Sequence, residues 1–240
     1  DCAIVTSVGI DHVEYLGATR DLIGFEKAGI FRSQRAAVCG DPLPPESLLS
    51  HARNIGAELQ VLGREFGYQS SRQQWRYWGG AGTRSGLAPP ALRGACQFAN
   101  ASVAIAALDT LRDRIPVSMQ AIREGLSRVE LPGRFQVLPG VPAVIVDVAH
   151  NPHAAEMLAR NLADQGFYPN TRAVFGMLAD KDLAGVCAAL KGRIDEWHVA
   201  SLSGPRAASA PHLAHAVRSS GAGGTVTEHA SPLAAYSVAR

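Results

Sequence analysis

The stretch Asp147-Val-Ala-His-Asn-Pro-His153 lies where a predicted strand meets a predicted helix. The preceding run, Ala143-Val-Ile-Val146, is short, apolar and β-branched, which is typical of a strand buried on both faces of a parallel sheet. Asn151 occupies the position of a helix N-cap, and Pro152 takes the first helical position, where its missing N–H costs nothing. The sequence therefore predicts a buried strand that runs directly into a capped helix.

The predicted helix covers residues 152–165 and ends at Gly166, with an apolar stripe made of Met157, Leu158 and Leu162. At its start, Asp147, His150 and His153 place a carboxylate and two imidazoles at the C-terminal edge of the strand. That edge binds ligands in open α/β sheets, and a helix N-terminus there favours an anion. From geometry alone, a ligand-binding turn and a capped turn with solvated polar residues fit the pattern equally well.

Strands and helices alternate regularly after Phe135, which implies a parallel sheet with right-handed crossovers. Strands are predicted at 143–148, 172–176, 196–200 and 224–227, and helices at 152–165, 182–191, 211–219 and from 232 onward. We place a domain boundary at Pro132-Gly133, which breaks the chain. The fold class is therefore α/β, with two domains at 1–133 and 134–240.

The first domain is also predicted to be α/β, but it carries an unusual insert. Strands are expected at 3–9, 36–39 and 58–62, and helices at 19–30, 46–54, 95–111 and 119–128. In the helix at 19–30 we expect packing through Leu22, Ile23, Ala28 and Ile30. The stretch Gln73–Trp78 alternates like an edge strand, so its aromatics indicate an edge hairpin rather than a platform for stacking ligands.

Composition excludes several classes of protein. The chain has 240 residues, a net charge of +2 and 18% charged residues, which does not indicate a nucleic-acid footprint or a polybasic membrane patch. No apolar run approaches the roughly 18 residues needed to span a bilayer, and no signal-peptide pattern is present. Four scattered cysteines without a CxxC pair indicate reduced thiols, so we predict a cytoplasmic protein. Because the chain begins in a strand and stops in a predicted helix, we expect an interior piece of a longer protein.

Five stretches of the sequence together resemble one family. Ser7-Val-Gly-Ile-Asp-His-Val-Glu-Tyr-Leu-Gly17 and Glu26-Lys-Ala-Gly-Ile-Phe-Arg32 resemble the central domain of folylpolyglutamate synthases, in the Mur ligase superfamily of ATP-dependent amide-forming enzymes. Gly133-Arg-Phe-Gln136 and Asp147-Val-Ala-His-Asn-Pro152, with Gly176-Met-Leu-Ala-Asp-Lys-Asp182 after them, resemble its C-terminal half. The order of the motifs agrees along the whole chain, and the resemblance is strongest to bacterial enzymes that combine dihydrofolate synthase and folylpolyglutamate synthase activities.

The resemblance implies a partial central ATPase-type domain followed by a smaller Rossmann-like C-terminal domain. It also implies that His12 binds Mg²⁺ near the nucleotide phosphates, although imidazole is an unusual ligand for this hard cation. Lys27, fifteen residues further on, matches a lysine that carbon dioxide carbamylates, which turns its side chain into an anion. On their own, the histidine is typical of a structural group and the lysine of a solvated helix cation.

Four further residues acquire roles from the resemblance. Asn100, Arg134 and Asp147 are expected to contact ATP, with Arg134 reaching phosphate from the domain junction and Asp147 accepting hydrogen bonds from ribose hydroxyls. His150 is assigned to the same catalytic cleft, whereas His153 is expected to be a helix-face residue. Without the motifs, these would be a helix-terminal asparagine, a surface arginine and solvated turn residues.

The implied reaction joins L-glutamate to dihydropteroate or to tetrahydrofolate, with ATP as co-substrate and Mg²⁺ as cofactor, in a monomeric enzyme. The chain has no Gly-Lys dipeptide and therefore no phosphate-binding P-loop, which the family carries upstream of the region matched here. We therefore expect residues 1–240 alone to be inactive. Two alternatives remain open: a peptidoglycan Mur ligase, and a non-catalytic Rossmann-like nucleotide-binding fragment.

Overall fold

The computed structural model describes residues 1–11, 13–71, 74–94, 96–166 and 168–240, without the side chain of Glu14. The chain divides into two compact units, Asp1–Leu131 and Pro132–Arg240. In the first unit the elements are β1(Cys2–Val5), α1(Val13–Leu16), α2(Arg20–Ala28), β2(Ala36–Cys39), α3(Glu46–Ile55), β3(Glu58–Val61), β4(Gly67–Ser70), β5(Trp75–Gly79), β6(Gly82–Leu87), α4(Cys96–Thr110) and α5(Met119–Arg128). In the second they are β7(Gln136–Leu138), β8(Val144–Val146), α6(Pro152–Asp164), β9(Arg172–Phe175), α7(Leu183–Ala189), β10(Glu196–Ala200), α8(Ala210–Ser219), β11(Thr225–His229) and α9(Pro232–Ala239).

A parallel sheet with the order β1-β2-β3 forms one part of the first unit. Its strands are short and in register, with Cys2 opposite Ala36 and Ala36 opposite Glu58. Helices α2 and α3 pack against each other, and their buried residues Ile23, Ala28 and Leu48 share one apolar cluster with Val5 and Cys39. Burial of these side chains stabilises the unit, because removing apolar surface from water is favourable.

The helix α2 packs through fewer residues than predicted. Ile23 and Ala28 are fully buried, but Leu22 is 54% exposed and Ile30 is 48% exposed. At 100° per residue, Leu22 lies opposite the face that Ile23, Gly24 and Ala28 define, and Ile30 lies beyond the helix end. The prediction that Leu22 and Ile30 contribute to the core is therefore wrong.

The aromatic segment forms the centre of a sheet and not its edge. In the antiparallel order β4-β5-β6, strand β5 lies between the other two. Trp75 and Tyr77, two residues apart and thus on one face, are at most 2% exposed and pack in the cluster that includes Leu87. The ring of Trp75 also meets Phe98 of α4 edge-on at 5.8 Å. The prediction of an edge strand was wrong because alternation alone does not reveal a third strand.

The second unit contains a parallel sheet with the order β9-β10-β11. Strand β8 instead pairs antiparallel with β7, with Val137 opposite Ile145. The sequence predicted that the strand at 143–148 would belong to the parallel sheet, and this prediction is wrong. It failed because β7, the antiparallel partner of β8, was not recognised as a strand. Helices α6, α7, α8 and α9 confirm the predicted positions within two residues at each bound.

One apolar cluster fills the second unit on the side of β10 that carries Trp197 and Val199. Leu213 and Val217 of α8 belong to it, and two of the three predicted stripe residues of α6, Leu158 and Leu162, pack against it. The described part of the chain contains no disulfide, and burial raises the pKa of the Cys187 thiol to about 12. Among the described residues, no helix is long and apolar enough to cross a membrane.

Candidate functional site

The turn from β8 to α6 has the predicted caps. The side-chain oxygen of Asn151 accepts a hydrogen bond from the backbone N–H of Ala154 at 2.8 Å, and Pro152 stands at the start of the helix. This cap satisfies one backbone donor of the first turn and leaves others at the N-terminus, where the helix dipole favours negative charge. Helix α6 therefore begins where the sequence predicted, and its N-terminus follows the turn that carries Asp147 and His150.

Asp147 ties this turn to the Gly133–Phe135 segment. Its Oδ2 accepts from the backbone N–H of Phe135 and its Oδ1 from that of Ala149, both at 2.8 Å. The backbone N–H of Val148 donates to the carbonyl of Gly133 at 2.9 Å. Each carboxylate oxygen has a second lone pair, so Asp147 can hold this junction and still accept a hydrogen bond from a ligand.

The backbone around Arg134 is bent in an unusual way. Gly133 has a φ of +72° and Phe135 a φ of +46°, in the left-handed region that disfavours residues with a Cβ. A Cβ at Gly133 would meet the Cγ1 of Val148 at 2.8 Å, so glycine is required by space as well as by conformation. Phe135 is 2% exposed and anchors the bend, whereas Arg134 is exposed between the two.

Of the predicted site residues in the second unit, Arg134 and His150 are exposed. Among the residues that the structure describes, Arg134 has no hydrogen-bond or ion-pair partner, so its guanidinium is available to an anion. The Nδ1 of His150 lies 2.9 Å from the carbonyl oxygen of Val148, which fixes the ring beside the turn. The structure thus brings Arg134, Asp147 and His150 onto two connected segments, 133–135 and 147–150.

The remaining predicted residues lie on helices of the first unit or outside the described part. Lys27 is half-buried in the last turn of α2, where the helix dipole favours a cation, and has no ion-pair partner in the described ranges. Asn100 is exposed on α4, and its Nδ2 donates to Gln97 Oε1 at 3.0 Å. His12, the predicted metal ligand, lies outside the described residues, among which no group of three or more His, Cys, Asp and Glu could hold a metal ion.

Asp41 was not singled out from the sequence, which indicated only a turn. The residue is 6% exposed, and its carboxylate accepts hydrogen bonds from Arg20 at 2.8 Å and from the backbone N–H of Val8 at 2.9 Å. An aspartate directly after a buried strand, with an arginine at the start of a helix, is a signal that could have found this pair. Only the fold shows that the two meet.

Residues 133–240 match the family model for the Mur ligase glutamate ligase domain. These residues form an α/β unit with a parallel sheet, and the match assigns the second unit to the Mur ligase glutamate ligase domain. Over 89% of its length, the chain is homologous to a bacterial dihydrofolate synthase/folylpolyglutamate synthase. The chain is 43% identical to the enzyme of Escherichia coli (strain K12) over 213 residues. This aligned region covers 89% of the chain and 49% of the relative.

Solved structures agree along almost the entire chain. E. coli FolC in complex with DHPP and ADP superposes with a TM-score of 0.91 at 39% identity, covering 99% of this chain and 55% of the other. A bifunctional folylpolyglutamate synthase/dihydrofolate synthase with Mn, AMPPNP and L-glutamate bound gives a TM-score of 0.86 at 41% identity, covering 100% and 55%. The chain therefore shares the fold of the matching part of these enzymes and spans about half the length of the relatives it matches.

Proposed function

We propose that this chain is part of an ATP-dependent ligase that joins L-glutamate to dihydropteroate and to tetrahydrofolate. The observation that carries the proposal is the homology to folate ligases along the chain, in which the predicted motifs of both units fall within the matched region. Relatives bound to ADP with DHPP, and to AMPPNP with Mn and L-glutamate, support these substrates. They also favour the folate branch over a peptidoglycan ligase and over a non-catalytic fragment.

In the proposed reaction, a carboxylate oxygen of the folate attacks the γ-phosphorus of ATP, and ADP leaves. The amino nitrogen of glutamate then attacks the carbonyl carbon of the acyl phosphate, phosphate leaves and the nitrogen loses a proton. Both steps gather negative charge on phosphate oxygens, so catalysis relies on positioning and on cationic groups. A bound Mg²⁺ ion would neutralise part of the phosphate charge.

We assign residues of the second unit to the nucleotide. Arg134 is proposed to bind a phosphate, because an exposed guanidinium without a partner can donate two parallel hydrogen bonds to phosphate oxygens. Asp147 is proposed to accept from a ribose hydroxyl through its remaining lone pairs while it holds the bend that presents Arg134. We propose His150, on the same turn, as a catalytic group.

We assign residues of the first unit to ATP and the metal. Asn100 is proposed to contact ATP from the exposed side of α4, and His12 to bind Mg²⁺. Lys27 is proposed to be carbamylated, which requires its neutral amine and therefore suits a half-buried position without an anionic partner. A carbamate anion at the C-terminal end of a helix would need a cation beside it, which a metal ion would provide.

The proposal extends to the whole protein. Residues 1–133 would be part of the central ATP-binding domain and residues 134–240 the Rossmann-like C-terminal domain of a monomeric cytoplasmic enzyme without nucleic-acid or membrane partners. The complete protein is tested for ADP release with ATP, L-glutamate and either dihydropteroate or tetrahydrofolate. With either folate, we expect ADP release that depends on glutamate. ADP release that does not respond to either folate would contradict the proposal.

Replacing Arg134 with alanine should lower kcat/KM for ATP by one to two decades. A charge-assisted contact to phosphate contributes about 1.5–3 kcal/mol, and Arg134 makes no hydrogen bond or ion pair within the described residues. Arg134→Lys should recover only part of the loss, because an ammonium cannot reproduce the planar fork. Kinetics and thermal midpoints are measured for each variant.

The matched control is Arg160→Ala, which removes an exposed arginine from α6. We expect its kinetics to equal those of the wild type. Wild-type kinetics for Arg134→Ala, or a loss that matches a lowered thermal midpoint, would show that Arg134 does not bind the nucleotide.

A further inference from the structure

The loop after β1 is held at one residue, Val8, by two side chains from elsewhere in the chain. The backbone N–H of Val8 donates to Asp41 Oδ2 at 2.9 Å, and its carbonyl oxygen accepts from Arg20 Nε at 2.9 Å. Val8 is 3% exposed and belongs to the apolar cluster of the first sheet. Both peptide groups that flank Val8 are therefore fixed, and its side chain is fixed as well.

The two side chains also bind each other. Arg20 donates to Asp41 Oδ2 at 2.8 Å and to the carbonyl oxygen of Leu43 at 3.0 Å, while Asp41 Oδ1 accepts from the Leu43 N–H at 3.0 Å. The group of Val8, Arg20, Asp41 and Leu43, which we call the Val8 clamp, joins the loop after β1, the start of α2 and the loop after β2. The carboxylate is 8% exposed at its side chain and the guanidinium 44%.

The clamp uses nearly all the bonding capacity of a buried carboxylate. Hydrogen bonds with an ionised partner are stronger than neutral ones, and removing one partner leaves the other charge buried without compensation. The guanidinium holds Val8 and Leu43 at once because its donors point in fixed, different directions, which an ammonium group cannot match. Arg20 does not cap α2, since the side chain of Thr19 provides that cap.

The position of the clamp in the chain suggests its purpose. Val8 precedes His12 by four residues, and Arg20 is the first residue of the helix that carries Lys27 in its last turn. We propose that Arg20 and Asp41 are positioning residues that hold the loop leading to His12 in register with the helix that carries Lys27. This inference rests on the proposed function, in which His12 binds the metal ion and Lys27 carries the carbamate.

The test compares Arg20→Gln and Asp41→Asn in the complete protein with the control Arg53→Gln. Arg53 pairs with Glu46 on the surface of α3, where both side chains are more than 60% exposed, so the control removes an ion pair of the same unit away from the clamp. The first readout is backbone hydrogen exchange in residues 6–11. The second is the dissociation constant for Mn²⁺, titrated calorimetrically in the presence of a non-hydrolysable ATP analogue.

We expect both clamp variants to raise exchange in residues 6–11 and to weaken Mn²⁺ binding about tenfold, as changes to groups that orient a metal ligand do. Arg20→Lys should recover part of the affinity, and Arg53→Gln should change neither readout. Reversible unfolding would also weaken the apparent binding of Mn²⁺, so the constants are compared at a temperature at which every variant is fully folded.

A third variant, His12→Ala, separates the two proposals. If His12→Ala weakens Mn²⁺ binding but the clamp variants leave it unchanged, the clamp has no positioning role and the proposal is overturned. If His12→Ala leaves the Mn²⁺ constant unchanged, the proposed metal role of His12 fails, and the clamp proposal fails with it. Faster exchange in residues 6–11 without weaker Mn²⁺ binding would make the clamp purely structural, which also overturns the proposal.

Discussion

Lys27→Ala is expected to lower the turnover of the complete protein by about 100-fold or more, the loss typical of misplacing a reacting group by about 1 Å. The side chain is half-buried in the last turn of α2 and has no ion-pair partner among the described residues, so its removal costs the fold little. A carbamylated Lys27 would carry a negative charge that attracts the metal ion, and the metal ion would in turn bind the phosphates. Short carboxylates such as acetate should then restore part of the activity of Lys27→Ala by occupying the vacated position.

The matched control is Lys191→Ala, because Lys191 is exposed in the turn after α7. It should retain wild-type turnover and show no response to acetate. Mass measurement of intact wild-type protein in bicarbonate is the independent readout, and we expect a carbon dioxide adduct on Lys27. Turnover of Lys27→Ala near the wild-type value, or a wild-type enzyme indifferent to bicarbonate with no adduct, would overturn the assignment.

Trp197→Ala is expected to destabilise the second unit by about 3–5 kcal/mol, which is typical when a large buried aromatic is truncated. Trp197 is 1% exposed, and its ring meets Phe175 edge-on at 5.5 Å in the cluster that α8 covers. Its Nε1 donates to the carbonyl oxygen of Gly223 at 3.0 Å, so it links β10 to the loop before β11. The loss combines a cavity with a broken contact between neighbouring segments.

Trp197→Phe separates the two contributions, because it keeps most of the ring packing and removes the donor. Since Gly223 is exposed and water can replace the donor, the phenylalanine variant should lose only about 1 kcal/mol. The measurement is hydrogen exchange in β9, β10 and β11, since two compact units need not unfold together. A change in opening free energy below about 1 kcal/mol for Trp197→Ala would contradict the predicted role of this side chain.

Local signals in the sequence were sufficient where a structure depends on neighbouring residues. Asn151 and Pro152 predicted the start of α6. Gly56 is a local signal of the same kind, because it ends α3 with a φ of +67°, which glycine adopts readily. The same holds for Ser118, which caps α5 as expected. Caps and turn residues act over three or four positions, so a single sequence is enough to recognise them.

Pairings between distant segments were not predictable in the same way. Alternation in Trp75–Gly79 correctly indicated a strand, yet nothing in it revealed that β4 and β6 would cover both of its edges. Likewise, β8 was predicted from its apolar residues, but its antiparallel partner β7 was not. A strand's own residues determine which face is apolar, whereas its neighbours depend on the path of the whole chain.

The sequence by itself determined the α/β class, the positions of most helices and strands, and the motifs that align the chain with the folate ligases. Tertiary structure alone decided that Asp147 holds the backbone at Phe135, and that Arg20 and Asp41 meet at Val8. Asp41 is twenty-one positions from Arg20, so no helical or strand period connects them. Such contacts arise because folding brings a buried carboxylate to backbone donors and a guanidinium, and an unpaired charge there would be costly.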